Sequence, residues 1–223
     1  MNFLDNLDNM LEERHLLKHS FYTKFNNGIV SKDILCTYAE EYYHHVAAFP
    51  RYISQIHSLC SDLKSRQVLL ANLVDEEQGE DNHPELWLRF IEGLGGSRDV
   101  VNSSPKLTST FNLVDGFFNL VRANYGMGLG ALYAYERQTP EVSMSKICAL
   151  KEHYGICDDR TLEFFSLHGK VDIWHTEELR NLIKEMKEED LEQVFIGAKK
   201  GAELLWCFLD GIESYASNCC SYS

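Results

Sequence analysis

The chain has 223 residues, 44% of them hydrophobic, with 12 Phe, 11 Tyr and 3 Trp, a globular composition with enough material for one large core. A formal charge of -13 leaves no basic footprint for nucleic acid or an anionic membrane surface, so both are excluded as partners. Only 4 Pro and 14 Gly argue against a turn-rich all-β chain, and 7 cysteines, an odd number without CxxC spacing, argue against a disulfide framework or a zinc knuckle.

From about Asn2 to Lys24, Phe3, Leu4, Leu7, Met10, Leu11, Leu17 and Phe21 recur with helical period, and Asn26-Asn27-Gly28 ends the segment. Ser31 reads as the N-cap of a second long helix with Asp33 in its first turn, and Pro50 should kink or restart it. A third helix, about Lys64 to Glu77, is expected to turn Val68, Leu69, Leu73 and Val74 inward and to break near Gly79. Asn82-His83-Pro84 opens a fourth, which Gly95-Gly96 closes, and Ser97 to Pro105 reads as a loop. Helices are then expected over about Leu107 to Tyr125, Gly126 to Arg137 and Pro140 to Tyr154. A further helix carries His168 to His175 on toward Met186, and a last one runs from about Asp190 to Ser217.

No strand alternation, repeat period or dividing linker is present. The reading is one all-α domain, 1–217, a bundle of about seven or more helices, with a small polar tail, 218–223, expected to be frayed. The acidic N-terminus lacks a basic n-region and an apolar h-region, and no apolar run approaches the roughly 18 residues of a membrane span. A bacterial cytoplasm is the simplest location.

His168, Asp172 and His175 stand at i, i+4 and i+7, one face of a helix. Two imidazoles and a carboxylate make a poor core stripe, since each buried polar group needs a partner, but iron, manganese and zinc accept those ligand types. A solvated helix face is the other reading of the same spacing. Glu76 precedes His83 by seven residues. Two helical turns would separate them by about 10 Å; either the break at Gly79-Glu80-Asp81 shortens that gap or the two serve different metals. Glu76 could equally belong to the acidic run Asp75-Glu76-Glu77, and His83 could merely cap a helix. Glu136 closes the apolar run Gly126 to Tyr135 and needs a cation or a donor there. Together the six match the ligand types of carboxylate-bridged di-iron bundles, without their Glu-x-x-His order.

Phe21-Tyr22, Tyr38-Ala-x-x-Tyr42-Tyr43, Ala48-Phe49-Pro50-x-Tyr52, Asp75-Glu76-Glu77-x-Gly79-x-x-Asn82-His83, Tyr133-x-Tyr135-Glu136 and His168-x-x-x-Asp172-x-x-His175 resemble, over nearly the whole chain, the family of the chlamydial protein associating with death domains. That family sits among the haem-oxygenase-like, PqqC/TenA-related helical proteins. The resemblance implies a dinuclear iron or iron-manganese centre held by Glu76, His83, Glu136, His168, Asp172 and His175. It also implies an oxygen-dependent 4-aminobenzoate synthase for folate biosynthesis, supplied with O₂ and an external reductant. The implied mechanism is self-sacrificing: Tyr22 is the ring source and Lys146 the amine donor, with Tyr38 and Tyr135 as relays.

Judged without the resemblance, each tyrosine is a packing residue and Lys146 a surface lysine. Two further readings follow from the same relatives. One is a PqqC/TenA-like oxidase or hydrolase acting on a small molecule, for which Cys36 and Cys148 would be the nucleophiles; neither has a partner to lower its pKa. The other is an effector that binds host death-domain proteins, secreted into a host cell. A homodimer is the default assembly.

Overall fold

A computed structural model describes residues 2–103 and 107–220, and all regular structure among them is helical. Eleven α-helices follow one another: α1 (Phe3–Glu12), α2 (Ser20–Asn26), α3 (Lys32–Leu59), α4 (Leu63–Glu77), α5 (His83–Gly93), α6 (Arg98–Ser103), α7 (Thr108–Ala123), α8 (Tyr125–Glu136), α9 (Thr139–His153), α10 (Asp159–Lys184) and α11 (Glu188–Cys220). The expected all-α bundle is therefore what the chain forms.

The bundle is assembled around α8, whose residues Gly128–Glu136 are all buried. A helix apolar on every side needs neighbours on every side. Here α11, α7, α10, α3 and α9 supply them. The glycines let α8 and α11 approach closely: a methyl group on Gly130 would overlap the carbonyl of Val194, and one on Gly197 the carbonyl of Met127. Among the described residues no helix is long and apolar enough to cross a membrane.

Several boundaries differ from the sequence reading. The segment expected as one helix over Asn2 to Lys24 is broken between α1 and α2 by a 3-10 turn, Leu16–Lys18. His15 and His19 cause the break, since each ring accepts a backbone N–H two residues on, from Leu17 at 3.3 Å and from Phe21 at 3.0 Å. Pro50 does not restart α3, which runs unbroken from Lys32 to Leu59. Burial of Val46, Phe49 and Ile53 on both sides of the proline keeps it continuous across the missing hydrogen bond. Arg98–Ser103, expected within a loop, is helical: Arg98 pairs with Glu85 and Glu92, and Val101 is buried. The rest of that expected loop, Ser104 and Pro105, lies outside the described residues. The last helix does not stop at Ser217 but continues to Cys220, which takes in the first residues of the tail expected to fray; residues 221–223 also lie outside the described residues.

On α4 the stripe facing inward is Leu69, Asn72 and Glu76, while Val74 points outward at 41% exposure. An amide and a carboxylate therefore enter the core where an aliphatic was expected. That exchange locates the site.

Candidate metal centre

Glu76 sits in the last turn of α4 and His83 in the first turn of α5. Between them Gly79 adopts φ +88°, a left-handed turn that glycine enters without steric cost. Asn82 then caps α5 by accepting from the Glu85 N–H at 3.0 Å. The chain folds back over this turn, and Glu76 Oε2 meets His83 Nδ1 at 2.6 Å. The gap that a continuous helix would have left open is closed.

Glu136 arrives at the C-terminal end of α8, and α10 presents His168, Asp172 and His175 on its inner face. All six residues are buried, none more than 4% exposed, so the reading of a solvated helix face falls. Ligating atoms of Glu76, His83 and His168 all lie within 4.8 Å of one another. His83 and His168 rings are 4.2 Å apart between centroids. Across from them, His175 Nδ1 lies 3.7 Å from Asp172 Oδ1. The charge of Glu136 acts on both His175 and Asp172.

Each imidazole has one nitrogen occupied on the side away from this centre, or faces a carboxylate within it. His168 Nδ1 donates to the Phe164 carbonyl at 2.7 Å, and His175 Nε2 donates to Asp75 at 3.0 Å. Asn72 Nδ2 donates to Glu136 Oε1 at 2.9 Å. Among the six residues, four buried polar atoms have no hydrogen-bond partner: Glu136 Oε2, Asp172 Oδ2, His175 Nδ1 and His83 Nδ1, the last in ion-pair contact with Glu76. Unpartnered oxygens on two carboxylates, with imidazole nitrogens beside them, suit a cation. Gathering these groups in the core disfavours unpaired carboxylate charge, which a bound cation would relieve. Burial pushes the Glu136 carboxyl up to about 8 and that of Asp172 up to about 6. Burial lowers His175, but Asp172, Glu136 and Asp75 more than offset it and raise it to about 9. His168 is pushed well below the ordinary imidazole range by burial. A neutral His168 is the form that offers a lone pair to a metal.

A second cluster adjoins the first. Lys146 Nζ donates to the Tyr38 hydroxyl at 2.8 Å, and Tyr38 and Tyr22 hydroxyls are 3.1 Å apart. Tyr22, Tyr38 and Lys146 are all buried, which corrects the surface position that Lys146 would have without the resemblance. Tyr135, next in sequence to Glu136, lines the same cavity as Tyr22 and Lys146, and its hydroxyl feels the charges of Glu76 and Asp172. The two clusters are thus contiguous through α8.

Burial brings the Lys146 ammonium down to about 7. The sign for stability follows from linkage: between pH 7 and 10.5 the unfolded chain holds a proton on this lysine that the folded chain does not, so stability rises with pH. Lys146→Met removes that dependence. It is expected to be more stable than wild type at pH 7, by up to a few kcal/mol at about 1.4 kcal/mol per unit of pKa, with the advantage shrinking toward pH 10. Denaturant melts of both proteins across that range test it, and an advantage that grows with pH would contradict it.

The cysteine nucleophile reading finds no support in the geometry. Cys148 is exposed, and burial together with the neighbouring Glu40 pushes the Cys36 thiol up to about 11. Sequence reasoning missed Asn72, one turn before Glu76 on the buried face of α4, and Asp75, at the edge of that face.

A buried set of three carboxylates and three imidazoles, carried on four helices of an all-α bundle, defines a class of metal-dependent helical proteins. A family model described as an iron-containing redox enzyme, of haem-oxygenase type, matches residues 36–206. The chain belongs to this haem-oxygenase-like family of iron-containing redox enzymes, and it is an oxidoreductase. A protein of Chlamydia trachomatis named 4-aminobenzoate synthase is 36% identical over 222 residues, covering 99% of this chain and 96% of that one. One of the same name from Nitrosomonas europaea is 35% identical over 229 residues, covering 97% and 93%. The fold is shared with a TenA homologue from Pseudomonas syringae pv. tomato, with TM-score 0.80, 15% identity and coverage of 95% and 93%. The chlamydial resemblance read from the motifs is borne out.

Proposed function

We propose that the chain is an oxygen-dependent 4-aminobenzoate synthase that draws the product from its own Tyr22 and Lys146. The observation that carries this reading is the cavity beside the metal residues. It offers about 20 Å³, room for a water-sized molecule, and its walls include Tyr22, Tyr135 and Lys146 themselves. A free aromatic substrate has no space there, whereas a phenol and a primary amine already stand in it, joined through Tyr38. Relatives named 4-aminobenzoate synthase that align over nearly the whole chain support the product.

In this reading Glu76, His83 and His168 hold one ion and Glu136, Asp172 and His175 a second, as an iron pair or iron with manganese. Such a pair, when bound, supplies O₂ activation and oxidising power, with an external reductant completing the electron balance. The protein's own groups do the rest. Either phenol of the Tyr22–Tyr38 pair can donate to the other, so a proton leaving Tyr22 has a recipient, and unprotonated Lys146 stands next in line. The lowered pKa of Lys146 keeps a large share of its amine in the nucleophilic form at neutral pH. Tyr135, which lines the cavity and feels the charges of Glu76 and Asp172, is the phenol placed to relay between the metal ligands and Tyr22. The buried rings of Tyr42, Trp87, Phe164 and Phe165 around the cavity limit the water that reaches the oxidised ring.

The test is to supply purified, iron-loaded protein with O₂ and a chemical reductant, without any added aromatic compound. The expected result is 4-aminobenzoate in no more than one equivalent per chain, with the mass of the peptide containing Tyr22 reduced. Product that appears only when an aromatic is added, from a chain of unchanged mass, would overturn the proposal.

A further inference from the structure

Helix α4 contributes one carboxylate, Glu76, to the site, but two of its other residues touch the site from behind. Asp75 Oδ2 accepts the Nε2–H of His175 at 3.0 Å. With Nε2 engaged outward, the ring is held so that Nδ1, buried and without a partner, faces inward beside Asp172. Asn72, buried at 4% exposure, donates Nδ2 to Glu136 Oε1 at 2.9 Å, which leaves Glu136 Oε2 as the free oxygen. Asn72, Asp75 and Glu76 stand at i, i+3 and i+4, one turn of one helix face. None of the polar contacts of the other three residues is of this kind: Glu76 pairs directly with His83, and His168 is held by a backbone carbonyl of its own helix.

We propose that Asp75 and Asn72 are positioning residues for the second metal position, fixing His175 and Glu136 from α4 so that both aim at the ion shared with Asp172. This rests on the metal-centre reading above. A ligating imidazole commonly donates its other N–H to a carboxylate, and loss of that carboxylate costs about 10–100-fold in metal affinity. Because α4 and α10 touch little elsewhere, the Asp75–His175 contact is also what ties the middle of α10 to α4. The second position thus takes its ligands from α8 and α10, both braced by α4. The first is built by the α4–α5 turn together with His168 of α10 and needs neither residue.

The experiment is anaerobic Fe(II) titration against a chromophoric chelator, for wild type and for Asp75→Ala, Asp75→Asn and Asn72→Leu. The expected result is two ions in the wild type and about 10–100-fold weaker binding of one of them in Asp75→Ala and in Asn72→Leu, the other ion unchanged. Asp75→Asn keeps an acceptor for the Nε2–H and should recover most of the affinity. In a His168→Ala background, adding Asp75→Ala should weaken the remaining ion; in a His175→Ala background it should change nothing. Circular dichroism of the metal-free proteins confirms that the variants are folded. Two ions at wild-type affinity in Asp75→Ala, or equal weakening of both, would overturn the proposal while leaving the metal centre standing. A wild type that takes up no iron would sink the metal centre and this proposal together.

Discussion

Tyr22→Phe is expected to bind iron as the wild type does and to form no measurable 4-aminobenzoate. The substitution removes a single oxygen from a ring that is 2% exposed and packed edge-on against Phe21 at 5.7 Å and Phe25 at 6.4 Å between centroids. Those ring contacts survive, so the fold should lose little more than the hydrogen bond to Tyr38, about 1 kcal/mol. None of the six candidate metal ligands touches the missing hydroxyl, which leaves metal content as an internal control. The effect on product is large because the hydroxyl is where the proton and electron leave the ring. Without it an aryl ring of the same shape is far harder to oxidise. Product assay and iron analysis on the same preparation decide the matter; wild-type product from this variant would remove Tyr22 as the ring source.

The other large effect is expected from His168→Ala, which should lose the ion held with Glu76 and His83, and with it all activity. Its imidazole is stacked on Phe164 at 3.9 Å between centroids, and its ligating nitrogen lies within 4.8 Å of the ligating atoms of Glu76 and His83. Removing one of three protein donors leaves a carboxylate and an imidazole in contact at 2.6 Å, an ion pair that satisfies itself without metal. Iron per chain should fall from about two to one or fewer after anaerobic loading. An unchanged count would show that this cluster is a buried polar contact of the core and no metal position.

Much of this site was legible before any coordinate. The stripe His168, Asp172 and His175 follows from helical period alone, because side chains at i, i+4 and i+7 share a face whatever packs against them. Ser31 and Asn82 were readable as N-caps for a similar reason, since a cap is an interaction within four residues. The break at His15 and His19 was not readable. Leucine spacing on both sides favours one helix, and nothing local announces that two histidine rings will take backbone N–H groups instead. Val74 was assigned to the wrong face because hydrophobicity was the only guide, while α4 in fact buries Asn72 and Glu76. Asp75 reads as part of the acidic run Asp75-Glu76-Glu77, and nothing local singles out Asn72. Their partners, His175 and Glu136, lie 100 and 64 residues away.

By itself the sequence determined the helical class, the positions of most helices and the types of ligand available, because these depend on local period, capping and side-chain chemistry. Only the tertiary structure decided which of those ligands meet. The left-handed turn at Gly79 brings Glu76 onto His83, and the glycine contacts of α8 with α11 set Glu136 and Tyr135 at the centre of the bundle. It alone decided, too, that Lys146 is buried against Tyr38, with its ammonium brought down to about 7. Burial and the low polarity that shifts a pKa belong to the assembled core, and no stretch of chain carries them alone.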